Sequence, residues 1–242
     1  MSNTISEFER RIHYEFKDKS LLRQALTHST YAYENPGIQG DNERLEFLGD
    51  ASLQLIISEA LYIQREEFPE GDMTKMRSLV VCEQTLADVA KSISLGSHLL
   101  LGKGELGTGG RHKPSNLANA MEAVFGAIYM DSDFASVKST ILILLTPYLE
   151  MAIAGDLIYD YKSRLLELVQ STRGTSQMRF EIVGEEGPVH ERVFTAVVIV
   201  DEQIVAGGTG GSKKEAEQNA AKDALKVVRC TREGCILHQL KR

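Results

Sequence analysis

Five oxygen-bearing side chains in the first half of this 242-residue chain are spaced so that they could do chemistry together. Glu43, Glu46 and Asp50 lie in the run Asn42-Glu43-Arg44-Leu45-Glu46-Phe47-Leu48-Gly49-Asp50, which stays apolar as far as Leu61. On a helix these three acids share one face. Leu45, Leu48, Leu55 and Ile56 take the opposite side, while Ile57 and Leu61 return to the acidic side. The helix is therefore expected to be apolar nearly all round and buried. Asn119 and Glu122 stand three residues apart on a second apolar segment, hence side by side. Ala123 and Gly126 beside them are small enough for another helix to approach closely. Two such helices facing each other would present Glu46, Asp50, Asn119 and Glu122 as an all-oxygen site, the donor set that Mg²⁺ or Mn²⁺ takes. Such ions can activate water and stabilise the leaving oxygen in phosphodiester hydrolysis. Spacing alone leaves a plainer reading open, in which the acids form a solvated face or pair with Arg44 and Lys113.

A second constellation lies nearer the other end, where Gly207-Gly208-Thr209-Gly210-Gly211-Ser212-Lys213-Lys214-Glu215 joins a strand to a helix. Ser212 and Glu215 form a capping-box pattern that starts the helix at Ser212. Lys213 and Lys214 then occupy the first turn, where the helix dipole disfavours cations. A polyanion would favour that arrangement, because exposed amides, dipole and lysines together suit phosphate. As a lone pair, two solvated surface lysines would explain them equally well. Cys230, Cys235 and His238 have irregular spacing and lack a fourth ligand, so they read as part of a plain tail. His28 reads as a helix-end or core histidine. Gly102, Gly104, Gly107, Gly109 and Gly110 follow no strand and match no nucleotide fingerprint, so that stretch reads as a loop, one that could border substrate.

The elements that must position these residues differ along the chain. Apolar side chains make up 43% and charged ones 25%, as in a soluble globular protein. Net charge is −7, and the whole excess of acid lies in residues 1–150, whereas residues 151–242 are balanced. Binding to a nucleic acid would thus need local basic patches, with metal ions offsetting the acidic part. Residues 1–150 read as helical, with apolar residues at helical spacing through Leu21–Tyr31, Leu45–Leu61, Leu86–Leu95, Leu117–Met130 and Val137–Met151. After Met151, Gly155 and Asp156 mark a linker and a helix is expected over about Tyr159–Gln170. Met178, Phe180 and Ile182 alternate with polar neighbours as a strand does. Arg192–Val200 is apolar on both faces, as a central strand would be. A short third strand is expected at Ile204–Ala206 and a final helix from Ser212 to about Arg229. The apolar run Ile141–Leu145 is too short to span a bilayer, the first residues lack a secretory core, and three cysteines make no disulfide framework. A reducing cytoplasm and no membrane partner are expected.

The motifs carry a resemblance that spacing alone does not. NERLEFLGDA resembles the signature of the ribonuclease III family, and LRQALTHSTYAYE, EGDMTKMRSLVV and LGKGELGTGGRHKPSNLANAMEAVFGAIYMDSD are similar to that family in the same order. The α-β-β-β-α order, the loop Gly187–His190 and SKKEAEQNAA resemble a double-stranded-RNA-binding domain, a module that reads A-form shape through 2′-hydroxyl and phosphate contacts. The resemblance implies an all-α catalytic and dimerisation domain over residues 1–152, a linker over 153–158, a small α+β RNA-binding domain over 159–230 and a tail over 231–242. It implies that Glu46, Asp50, Asn119 and Glu122 bind the catalytic metal, with Asp50 and Glu122 catalytic. Glu43 and Glu70 are supporting acids near the site or the dimer contact. The metal is expected to be Mg²⁺, with Mn²⁺ able to substitute. Gln170, His190, Lys213 and Lys214 are the expected RNA contacts, with Glu167 as a further candidate from the first helix. Leu166 falls where many relatives have Gln. The implied reaction is hydrolysis of double-stranded RNA by a homodimer, giving 5′-phosphate and 3′-hydroxyl ends, with ribosomal RNA precursors and some messengers as targets. Asn119 departs from the Asp common in the family; its neutral carbonyl oxygen can still ligate a metal. It is also the feature that would favour a rival role, a duplex-RNA-binding regulator that does not cut.

Overall fold

Asp18, His28 and Asp133 each turn a side chain back onto the helix that follows. In the computed structural model, which describes residues 2–64, 68–173, 177–188 and 191–228, Asp18 accepts from the Ser20 N–H at 2.8 Å. His28 Nδ1 accepts from the Thr30 N–H at 3.2 Å, and Asp133 from the Ser136 N–H at 2.8 Å. Such caps satisfy amides that a helix start leaves unpaired. The helices of the first unit begin with α1 (Ser2–Arg11), α2 (Lys19–Ala25), α3 (Ser29–Glu34), α4 (Glu43–Gln64) and α5 (Glu70–Val80). They continue with α6 (Glu83–Ser92), α7 (Lys103–Gly107), α8 (Pro114–Asp131) and α9 (Phe134–Ala154). Single 3₁₀ turns lie at Leu95–His98 and Gly110–His112.

The continuous helix expected over Leu21–Tyr31 is broken. Between α2 and α3, Thr27 bridges Leu100, the Leu100 N–H donates to Leu26 O, and the His28 N–H donates to Leu100 O. A tertiary pairing there outweighs local helix preference. The glycine-rich stretch read as a loop contains α7 and one of the 3₁₀ turns.

α8 is the hub of this unit. Met121, Val124, Phe125 and Ile128 are fully buried, and α8 packs against α2, α4, α6 and α9. Leu53, Ile56, Ile57 and Leu61 of α4, Leu86 of α6, and Val137, Ile141 and Leu145 of α9 complete the core. Full burial of each such side chain stabilises by roughly 1.5–3 kcal/mol before the entropy of ordering is subtracted. α4, however, is not buried all round: Phe47, Leu55, Tyr62 and Ile63 are exposed on it. The apolar run at Ile141–Leu145 is part of the 21-residue α9, which by length and composition could cross a membrane. Its Val137, Ile141, Leu145 and Leu149 face is instead buried against the domain. Gly155 ends α9 with a φ of +74°, the left-handed cap that glycine supplies at least cost.

The second unit begins at Ile158. It runs α10 (Tyr161–Arg173), β1 (Met178–Glu186), β2 (Val193–Val200), β3 (Gln203–Gly210) and α11 (Lys213–Val228). The sheet is antiparallel in the order β1-β2-β3, with Phe180 opposite Val198 and Val198 opposite Ala206. Leu165 and Val169 of α10 and Ala221 and Ala224 of α11 close over Val198, Val200 and Val205. β2 is central, as its two apolar faces predict. β3 runs four residues further than expected, through Gly207–Gly210. That stretch pairs with Phe194–Val197 of β2, and glycine is needed in it where α11 lies against the strand. A Cβ on Gly208 would meet the backbone of Ala216, Asn219 and Ala220.

Candidate active site and nucleic-acid interface

The acidic site is built from the start of α4. Asn42, only 4% exposed, accepts through its carbonyl from the Glu46 N–H at 2.8 Å. Its own N–H donates to Thr27 O at 2.9 Å and its amide Nδ2 to Ala25 O at 3.3 Å. The helix start is thereby tied to the end of α2. Asp41 Oδ1 accepts from the Glu43 N–H at 3.2 Å. Glu43 and Glu46 occupy the first turn, where the dipole favours anions.

Opposite it, α8 begins with Pro114 in the first turn, a position whose missing N–H costs nothing. The two helices cross backbone to backbone. A Cβ on Gly49 would overlap the Glu122 carbonyl and lie 2.9 Å from the Gly126 nitrogen, and one on Gly126 would overlap the Leu45 carbonyl. The small face of α8 was legible in the sequence; its partner Gly49, inside the acidic motif, was not singled out.

This crossing sets the electrostatics. Burial pushes the Glu122 carboxyl up to about 8, helped by the charges of Asp50 and Glu46. Glu46 is also raised, by burial, then by Glu43 and Asp50, against a hydrogen bond from Asn119 that lowers it. Asp50 Oδ1 accepts from Gln54 Nε2 at 3.3 Å. The structure thus brings Glu43, Glu46, Asp50, Asn119 and Glu122 into one coupled group. Among the described residues, no three acidic, histidine or cysteine side chains converge tightly enough to chelate an ion as they stand. The donor set nonetheless fits a hard divalent cation: it is all oxygen, and a cation would relieve the repulsion that raises Glu122. Glu70 stands apart at the first residue of α5, accepting from Thr74 Oγ1 at 2.8 Å.

Glu105, which sequence reasoning passed over, organises the approach to α8. It accepts from Lys113 Nζ at 2.7 Å and from Asn116 Nδ2 at 2.8 Å, and those donors hold its carboxyl below the usual range. Asn116 also donates to Gly110 O at 3.0 Å, and Glu34 accepts from the Lys103 N–H at 2.9 Å at the first residue of α7. Lys113 is therefore the partner of Glu105. A glycine-rich stretch with a single acid has no periodicity to announce such a strut. His28 is the cap of α3, a helix-end role.

In the second unit, Ser212 Oγ accepts from the Glu215 N–H at 3.2 Å, while Glu215 Oε2 accepts from the Gly211 N–H at 2.8 Å. The reciprocal bond of the capping box has moved one residue outward. Lys213 and Lys214 are exposed on the first turn of α11, and Leu166, Glu167 and Gln170 are exposed on α10. Glu167 lies 3.5 Å from Arg164. His190, Cys230, Cys235 and His238 lie outside the described residues.

A helical domain with a half-buried carboxylate cluster, followed by an α-β-β-β-α module with lysines at a helix start, defines a nuclease joined to a duplex-RNA binder. Comparison with known proteins agrees. Residues 18–149 match the family described as "Ribonuclease-III-like", and residues 161–228 the "Double-stranded RNA binding motif". The chain is 45% identical over 221 residues to Ribonuclease 3 of Caldanaerobacter subterraneus subsp. tengcongensis, covering 91% of this chain and 96% of that protein. It is 48% identical to Ribonuclease 3 of Pelotomaculum thermopropionicum, covering 89% of each. The crystal structure of the Campylobacter jejuni ribonuclease III nuclease domain is similar with a TM-score of 0.55 at 40% identity, over 59% of this chain and 94% of that one. The chain belongs to the ribonuclease III family: it is a divalent-metal-dependent endoribonuclease of double-stranded RNA.

Proposed function

We propose that Glu46, Asp50, Asn119 and Glu122 hold Mg²⁺, or Mn²⁺ in its place, with Asp50 and Glu122 catalytic and Glu43 in support. The single observation that carries this reading is the Gly49–Gly126 crossing, which leaves Glu122 half-buried beside Asp50 and Glu46. Bound Mg²⁺ would supply the acidity that makes water a nucleophile and the charge that steadies the leaving 3′ oxygen. The residues do the rest. Asp50 and Glu122 direct their oxygens to the cluster, and Asn119 adds a neutral ligand without a fourth negative charge against the phosphate. The product ends are then 5′-phosphate and 3′-hydroxyl. His190, Gln170, Lys213 and Lys214 hold the duplex, the lysines on phosphates and His190 in a minor groove.

The enzyme acts as a homodimer, each site cutting one strand. Supporting this, α4 leaves Phe47, Leu55 and Tyr62 exposed, Phe47 to 80%. Beside them lies a groove of about 410 Å³ lined by Leu55, Tyr62, Glu70, Met73 and Arg77. A second Campylobacter jejuni structure, at a TM-score of 0.56, is described for structural flexibility in the region involved in dimer formation of its nuclease domain. The cytoplasm is the place of action, on ribosomal RNA precursors and some messengers. The test is incubation of end-labelled duplex RNA with the protein and Mg²⁺, mapping product ends. Cleavage leaving 5′-phosphates is expected. Binding without cleavage at every Mg²⁺ and Mn²⁺ concentration would favour the non-cutting regulator.

A further inference from the structure

The apolar packing of α10 on α11 is joined at one end by a polar clasp. Gln218 of α11 reaches across to the start of α10. Its Oε1 accepts from the Tyr161 N–H at 2.8 Å and the Lys162 N–H at 3.4 Å. These are amides of the kind a helix start leaves without intrahelical partners. Its Nε2 donates to Asp160 Oδ1 at 2.9 Å. Asp160 is itself the cap of α10, accepting from the Ser163 N–H at 3.1 Å and from Ser163 Oγ at 2.7 Å. One residue earlier on α11, Glu217 takes the Lys162 ammonium at 2.6 Å, and that ammonium also sits 4.6 Å from the centre of the Phe180 ring on β1. The bonds from Gln218 and Ser163 hold the Asp160 carboxyl down to about 2, so the clasp stays ionised across the neutral range.

Position gives the clasp its meaning. Lys213 and Lys214 lie just ahead of it on α11, and Gln170 is exposed on α10. The core residues Leu165 and Val169 already hold α10 to the sheet. What Gln218 adds is a directional tie between the two helices. We propose that Gln218 is a positioning residue for duplex recognition: by capping α10 from α11 it sets one helix against the other before RNA is bound. This rests on the reading that the lysines of α11 and the exposed face of α10 meet the duplex. Groups held at fixed spacing lose less conformational freedom on binding than groups that must be ordered by the ligand.

The test uses the full chain with duplex RNA, without divalent metal for binding and with Mg²⁺ for steady-state cleavage. Gln218→Met removes both halves of the clasp without changing charge. It should raise Kd about tenfold. The slope of log affinity against log salt should stay unchanged, because every cation that meets a phosphate is still present. KM should rise while kcat at saturating duplex holds. Gln218→Glu keeps the accepted bonds but turns a second carboxylate toward Asp160, and should weaken binding as much. Adding Asp160→Asn puts an amide donor where Oδ1 now accepts from both Gln218 and the Ser163 N–H, so it relieves the repulsion at the expense of that cap bond and should recover part of the lost affinity. Lys213→Ala with Lys214→Ala, run in parallel, should lower the salt slope by up to about 0.9 for each phosphate no longer neutralised. An unchanged slope there would overturn the RNA-facing reading of α11 itself. The positioning role is overturned if Gln218→Met binds like the parent, if its slope falls with its affinity, or if the double variant is no better than Gln218→Glu.

Discussion

Partial burial beside two other carboxylates leaves Glu122 holding a proton up to a pH of about 8, against an ordinary value of 4.5. In the metal-free protein, the folded chain keeps a proton that the unfolded chain releases. The associated stability is complete below about 4.5 and is lost as pH rises through about 8. The thermal midpoint without metal should therefore fall across that interval, and Glu122→Gln should flatten the fall. An equally steep fall in the variant would place the perturbed proton elsewhere. A cation must displace the same proton, so the Mg²⁺ needed for half-maximal cleavage should rise as pH drops below 8. Glu122→Gln should also keep duplex binding while losing most cleavage, measured side by side on one duplex. Asn119→Asp adds a carboxylate and should lower the Mg²⁺ requirement. Its change in maximal rate should stay under about tenfold, or 1.4 kcal/mol in barrier. A Mg²⁺ titration at constant salt compares the two. A parent inert at all metal concentrations beside an active variant would mean that Asn119 is no ligand.

At the scale of elements, the helix crossing governs the site. Gly49→Ala drives a methyl into the Glu122 carbonyl, a backbone atom that cannot swing aside. Overpacking of this kind costs about 1–3 kcal/mol, occasionally more. The expected result is a lower thermal midpoint together with a higher Mg²⁺ requirement, because α8 must move away and take Glu122 with it. Ala→Gly at exposed Ala51, aside from the crossing, is the control that weakens α4 without touching α8. If both variants lose the same activity for the same stability, helix strength and not the close approach is what matters. The helical spacing of the acids and of Asn119 and Glu122 was enough to place them on two faces. The facing of those faces depended on Gly49, whose role becomes visible only when a backbone is found against it. The same limit applied to β3, where glycines that look like a loop pair with β2 and make room for α11.

For the whole molecule, the two units have separate cores, one around α8 and one between the sheet and its helices. Removing residues 158–242 should leave a folded nuclease that cuts duplex RNA at low salt and fails at moderate salt, because weak electrostatic binding is screened first. Circular dichroism melting and a salt series of cleavage would check this. Undiminished cleavage at moderate salt would mean that the nuclease unit carries the affinity alone. By itself the sequence determined the helix-rich first part, the central place of β2, the acids and lysines available for chemistry, and the family. Those follow from period and motif, which are local properties of the chain. Only the tertiary structure decided that Glu122 is half-buried near Asp50 and Glu46, that Lys113 serves Glu105, that one side of α4 stays exposed, and that Gln218 caps a helix from another. Each depends on residues far apart in sequence meeting at one point, and no periodicity along a chain records which distant backbone will come to rest against it.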